Sequence, residues 1–242
     1  MDNTAYVALS RQITLRRQLD IIANNVANAD TAGFKVEQLL TEEEAVRPAR
    51  SHGIRRPVDF VVDGEVARDF SQGGFTRTGN TFDVAVEGDG FLVVRTPAGD
   101  RYTRDGRLQL DGRNRLVTAA GQPVLAGGGE LVFNPEAPTP VIAPDGTVSQ
   151  GNVQLGRLDV VRFDSRRSLA KGGDNLFSAG VPARPAPDVR LRQGMLEQSN
   201  VKPVLEITSL IEVSRAYERA TRIVDQTQDL SRRAVERLGR TQ

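Results

Sequence analysis

The chain carries two kinds of hydrophobic spacing, and the kind changes twice along its length. Near residues 3–29 a narrow apolar row steps by three and four: Ala5, Ala8, Leu15, Leu19, Ile22, Val26 and Ala29, broken at Gln12. The same rhythm returns near 203–238 through Leu210, Val213, Tyr217, Ala220, Val224, Ser231, Ala234 and Leu238, with Thr227 filling the gap. Two apolar positions per heptad make the narrow seam of a coiled coil, and a helix facing a globular core is apolar over a wider face. Isolated helices of this length are marginal in water, so each end requires a helical partner.

Asn3 or Thr4 is placed to cap the first helix, because a short polar side chain accepts from the orphan backbone N–H groups. The helix is expected to stop within Asn28–Gly33. Asn, Asp and Thr there favour local side-chain bonds, and Gly33 supplies a permissive backbone position. Residues 35–69 read as an extended connector, charged and holding Pro48, Pro57 and a basic patch of Arg47, Arg50, Arg55 and Arg56. Asp-Gly pairs at 63–64, 89–90, 105–106, 111–112 and 145–146 then mark tight turns between short β-type runs.

The spacing predicts a hairpin of 83–86 with 91–94, a second of 91–94 with 101–104, and a third of 108–110 with 116–118. A single alternating strand is expected from Leu155 to Phe163. Residues 70–180 thus form an antiparallel β domain, 181–202 a second connector, and 203–242 the last helix, with Pro203 in its first turn. The predicted class is α+β: residues 1–34 and 203–242 pair in a coiled-coil-like module, and the all-β middle is inserted between them.

Composition narrows the function classes. Thirty-two basic and 31 acidic residues leave a net charge of +1, which removes the electrostatic ground for binding nucleic acid or an anionic membrane. The absence of Cys excludes a disulfide framework, a thiol nucleophile and a thiolate metal site. The first residues lack the basic start and apolar core of a secretory signal. No apolar run approaches the roughly 20 residues that span a bilayer.

Candidate chemistry weighs lightly against these bounds. Gly88-Asp89-Gly90 leads into a strand, whereas a phosphate cradle opens onto a helix, so it reads as a hairpin turn. None of the Asp-Gly turns has the spacing of a calcium loop. His52, the single histidine, lies in the polar connector and reads as a solvated loop residue. A hydrolase using a carboxylate pair has no motivation beyond the number of Asp residues, and a sugar cleft without Trp is unusual.

The last helix pairs Glu218 with Arg222, Asp229 with Arg233 and Glu236 with Arg240 at i,i+4. Each is worth about 0.2–0.5 kcal/mol, against about 1.5–3 kcal/mol for one buried Leu, so the seam decides assembly. Three Asn within Ala23–Asn28 are costly to helix propensity. The reading preferred is a close contact in which small Ala residues admit a neighbouring helix and the amides bond across it.

Three ordered blocks carry a family resemblance. Ile21–Lys35 (IIANNVANADTAGFK) resembles the amino-terminal signature of bacterial flagellar rod and hook proteins. Phe75–Phe91 (FTRTGNTFDVAVEGDGF) with Tyr102–Gly106 (YTRDG) resembles the start of their β domain. Gln193–Val201 (QGMLEQSNV), followed by Arg215–Glu218 (RAYE), is similar to their carboxy-terminal module. The amino-terminal start and compact middle look most like the proximal-rod member, the distal-rod member sharing most of the motifs. Hook members usually carry a larger middle.

The resemblance implies a non-enzymatic subunit without cofactor, metal or small-molecule substrate. It implies export by the flagellar type III apparatus without a cleavable signal, and assembly in the periplasm with further copies and with other rod subunits. The terminal helices would line the inner tube, which encloses the export channel, and the β domain would face outwards. Assembly would be carried by Leu15, Leu19, Ile22, Asn24, Asn25, Val26, Asn28, Gly33 and Phe34, together with Leu210, Val213, Tyr217, Ala220 and Val224. A secreted fibre subunit shares the architecture but not the Asn-rich signature.

Overall fold

A computed structural model describes residues 3–40, 42–46, 58–62 and 65–239. Side chains are described from Ala8 to Leu40, from Glu65 to Asp229, and at Arg232 and Arg233. Capping by Asn3 or Thr4, the basic patch at 47–56 and His52 lie outside that set.

The heptad rows become two helices, α1 (Asn3–Ala27) and α2 (Pro203–Gly239), and these contact each other. Pro203 opens α2, and the Lys202 carbonyl accepts from the backbone N–H groups of Leu205 and Glu206 at 3.0 and 3.1 Å. The stretch expected as a connector holds four short strands: β1 (Glu37–Leu39), β2 (Glu42–Val46), β3 (Val58–Val62) and β4 (Val66–Arg68). β1 pairs with β4 and β2 with β3, both antiparallel. Residues 1–27, 37–68 and 202–242 form one compact unit, unit 1, in which α1 also lies against β1 and β3.

Unit 2 comprises 28–36 and 69–201. Its strands run β5 (Phe75–Arg77), β6 (Val84–Glu87), β7 (Phe91–Thr96), β8 (Gly99–Thr103), β9 (Leu108–Leu110) and β10 (Leu116–Thr118). There follow β11 (Leu125–Ala126), β12 (Gly129–Glu130), β13 (Pro140–Ile142), β14 (Thr147–Gln150), β15 (Val153–Arg157) and β16 (Val160–Arg162). The last are β17 (Leu169–Lys171), β18 (Leu176–Ala179), β19 (Arg184–Pro185), β20 (Arg190–Gln193) and β21 (Met195–Glu197). Among the described residues, the largest sheet has six strands in the order β17-β18-β8-β7-β16-β19. Every strand pair is antiparallel, as frequent tight turns require.

Two of the three predicted hairpins form, β7 with β8 and β9 with β10. The third does not: β6 pairs with β20, over 100 residues away in sequence, and β7 pairs with β8 and β16. The physical reason lies at the Gly88–Gly90 corner. The carbonyls of Val86, Gly88 and Gly90 all accept from the buried Arg104 guanidinium, so the corner hands the chain from one sheet to another. Gly90 also has no room for a side chain, since a Cβ would stand 2.7 Å from Val160 Cγ1. The alternating run 155–163 divides for a similar reason. Leu158 and Asp159 donate their N–H groups to Gly146 and Leu125, and the chain passes there from β14 to the six-stranded sheet.

The core of unit 2 is aliphatic where β6, β7, β10, β14 and β20 meet, with Val84, Val86, Leu92, Leu116 and Val148 fully buried. A second cluster is aromatic: Phe70, Phe91, Phe163, Phe177 and Tyr102 meet edge to face, at ring-centroid separations of 4.7–5.9 Å.

Candidate assembly interface

In unit 1 the seam residues of α2 lie on one side. Val213 and Ala220 are buried, and Leu210, Tyr217 and Val224 are half-buried. On α1, Ile22 is buried while Leu15, Leu19 and Val26 are half-buried. Gln12, which interrupts the apolar row, donates to Tyr217 Oη at 3.3 Å and to Thr221 Oγ1 at 3.1 Å. Asn25, thirteen residues further along α1, donates to Glu206 Oε2 at 3.1 Å. One contact advances along α1 as the other retreats along α2, so the helices are antiparallel.

The three Asn of the helix end separate in role. Asn24 is exposed. Asn25 is only 1% exposed, and its amide pairs with the β1 backbone in both directions: Nδ2 donates to the Glu37 carbonyl at 2.8 Å, and Oδ1 accepts from the Glu37 N–H at 3.0 Å. A side-chain amide here replaces a neighbouring strand, which a helix propensity scale cannot anticipate. Asn25→Ala removes both of these bonds to the β1 backbone, each worth about 0.5–1.5 kcal/mol. The expected loss is seen as faster amide exchange at Glu37 and Gln38, with exchange in β6 and β7 unchanged.

In unit 2, Asn28 closes the turn after the helix. Its carbonyl accepts from the Thr31 N–H at 3.1 Å and its Oδ1 from the Thr31 hydroxyl at 3.2 Å. Phe34 is 2% exposed among Ala29, Val36 and Val201, with Lys171 Nζ 4.2 Å from its ring centre. Gly33 has φ of +68° and donates its N–H to the Glu197 carbonyl at 2.8 Å.

A feature beyond the predicted residues lies beside them, a buried ion triad. Glu197 accepts from Lys35 Nζ at 2.7 Å, from Arg104 Nε at 2.8 Å and from the Gly73 N–H at 3.0 Å. The side chains of Lys35 and Glu197 are 0% exposed and that of Arg104 2%. Lys35 also donates to the Ser71 carbonyl at 2.6 Å. Desolvation, aided by the Arg104 charge and opposed by Glu197, holds the Lys35 ammonium below its ordinary pKa. All five N–H groups of Arg104 are engaged, one by Glu197 and four by main-chain oxygens. The signal was available in the sequence: Lys35, Arg104 and Glu197 each stand within a different one of the three motif blocks.

A cleft of about 530 Å³ lies over Phe70, Phe91 and Phe163, with Arg104 beneath it. Its rim carries the exposed ion pairs Arg162–Asp188 and Arg166–Asp89. Since the Arg104 donors are all occupied, the buried cation offers nothing to a substrate. No group of three or more His, Cys, Asp or Glu among the described residues is arranged to hold a metal ion. None of the described helices is long and apolar enough to cross a membrane.

Three family profiles match in order. Residues 6–35 match "Flagella basal body rod protein", 85–150 match "Flagellar hook protein FlgE/F/G D1 domain", and 192–237 match "Flagellar basal body rod FlgEFG protein C-terminal". The flagellar basal-body rod protein FlgF of Caulobacter vibrioides is 50% identical over 99% of both chains. FlgF of Mesorhizobium japonicum is 38% identical over 99% of both. FlgG of Borreliella burgdorferi is 33% identical over 95% of this chain and 96% of its own.

Proposed function

The chain belongs to the flagellar basal-body rod protein family, and from that premise we propose that it is a structural, non-enzymatic subunit of the proximal rod, of the FlgF type. The observation that carries the reading is identity of 50% to a FlgF protein across nearly the whole of both chains. The FlgG relative, at 33%, makes a distal-rod subunit the alternative.

On this reading α1 and α2 pair as a coiled-coil-like module that polymerises with further copies and with other axial subunits. The product is a hollow, torque-transmitting shaft around the export channel. The chain passes through the flagellar type III apparatus and assembles in the periplasm, which accords with its lack of Cys. The antiparallel contacts through Gln12 and Asn25 support the helical module, since they fix its register by polar bonds that only one alignment satisfies.

Mass spectrometry of purified hook–basal bodies, beside a deletion strain, tests the assignment. The expected result is this chain in the particles and truncated rods in the deletion strain, the height of the truncation separating FlgF from FlgG. Intact rods and motility in the deletion strain would overturn it. Val213→Asp puts a carboxylate at a seam position 9% exposed. Loss of motility is expected, with exchange in unit 1 accelerated about fivefold or more by a cost of about 1–3 kcal/mol for an unpaired buried polar group. Swimming at the normal rate would refute the seam.

A further inference from the structure

Unit 2 is completed by the part of its sequence that comes last. β20 pairs with β6, and β21 with β5. Val189 and Leu191 enter the aliphatic cluster beside Val84, Val86 and Leu92. Gln193 fastens the end of β20: its Nε2 donates to the carbonyls of Thr81 and Pro140, each at 2.9 Å, and its Oε1 accepts from the Ile142 N–H at 3.1 Å.

The same stretch holds the amino-terminal piece of the unit. Beyond the bonds of Glu197 to Gly33 and Lys35, Asn200 Oδ1 accepts from the Val36 N–H at 2.8 Å, and Asn200 Nδ2 donates to the Asp69 carbonyl at 2.8 Å. Phe34 and Val36 pack with Val201. Three pieces of chain distant in sequence, 33–36, 69–71 and 197–201, therefore meet, and the last of them bonds to both of the others.

Glu197 lies 162 residues from Lys35 and 93 from Arg104, so long loops must close, at an entropic cost, before these contacts form. Until Glu197 arrives, burying Lys35 and Arg104 puts two cations in a dry site with no anion, and each bears its desolvation uncompensated. The six-stranded sheet offers no complete substitute. Phe91 belongs to the aromatic cluster, while Leu92 and Val94 of the same strand belong to the aliphatic one. β7 thus stays only partly covered on its aliphatic face until Val189 and Leu191 are in place. A lone hairpin such as β7–β8 is marginal in water.

We propose that Glu197 is the closing charge of unit 2, and that the unit does not fold until the block 193–201 is available to it. The inference rests on the rod reading for its use: a subunit that must pass through an export apparatus is kept unfolded until nearly all of its chain exists. The delay is built into the order of the sequence, since the one anion that both buried cations require comes after every other strand of the unit.

Refolding of the full chain from denaturant, followed by pulsed amide exchange, tests this order. β6, β7 and β8 should gain protection in the same phase as β20 and β21; protection of β7 and β8 in an earlier phase would overturn the proposal. Glu197→Gln should slow refolding about a hundredfold or more and change unfolding by less than about tenfold, because the contact is made in the rate-limiting step. Unchanged refolding with faster unfolding would place Glu197 after that step and sink the idea. If Glu197→Gln does not fold, Gln193→Ala reads the same closure through its three lost bonds, with refolding slowed about tenfold and unfolding little changed. The refolding measurement is made on isolated chains, so it is independent of the basal-body result. Early protection of β7 and β8 in a chain found in basal bodies removes the late closure and leaves the rod reading; late closure in a chain absent from them does the reverse.

Discussion

Glu197→Gln is expected to destabilise unit 2 by about 3–5 kcal/mol, the range for removing one partner of a buried ion pair. A domain is commonly stable by only about 5–15 kcal/mol. Glu197 is the single negative charge between two buried cations, bonded to Lys35 at 2.7 Å and to Arg104 at 2.8 Å. A Gln in its place presents one amide NH₂ to a site already filled with donors, and two positive charges remain without a counter-charge.

Lys35→Met is the decisive comparison. It leaves the Arg104–Glu197 pair neutral as a whole and removes an ammonium whose pKa is already depressed by burial, so a far smaller loss is expected. The pH dependence has a definite sign. Below its depressed folded value Lys35 is charged in both states, and its burial opposes folding. As pH climbs from there towards the ordinary 10.5, the folded state releases the proton first, so unit 2 gains stability relative to Lys35→Met. Amide exchange in β6 and β7 reads all three chains. Equal losses from the two substitutions would show that the triad contributes packing and not charge balance.

The two terminal helices and the antiparallel, strand-rich middle were legible because each rests on local periodicity and turn chemistry. Gln12 stood out as a break in the row, and the structure gives it partners on α2. What stayed hidden depends on contacts distant in sequence. β6 and β7 look like a hairpin around an Asp-Gly turn, yet β6 pairs with β20 because Arg104 holds the intervening carbonyls. The segment 37–68 looks like a charged connector, yet β1 is secured by the Asn25 amide and β4. The seam was visible, but periodicity alone does not say whether a row faces a neighbouring copy or the other end of its own chain.

Gly33→Ala is the second large effect expected, and it strikes where the first motif block joins the β unit. At φ of +68° Gly33 is in the left-handed region, which costs an L-residue about 1–2 kcal/mol. A Cβ there would also overlap the carbonyl carbon and oxygen of Arg104 and stand 2.7 Å from the Asp105 nitrogen. These are backbone atoms, fixed by the triad on one side and by the Gly33 N–H to Glu197 carbonyl bond on the other. Relief therefore requires moving Arg104 away from Glu197, and overpacking of this kind adds about 1–3 kcal/mol. The loss should be coupled to that of Glu197→Gln, because both break the same contact. A double-mutant cycle on unit 2, followed by amide exchange, should give a combined effect well below the sum of the two. Strict additivity would mean that Gly33 acts through backbone strain alone and does not position the triad.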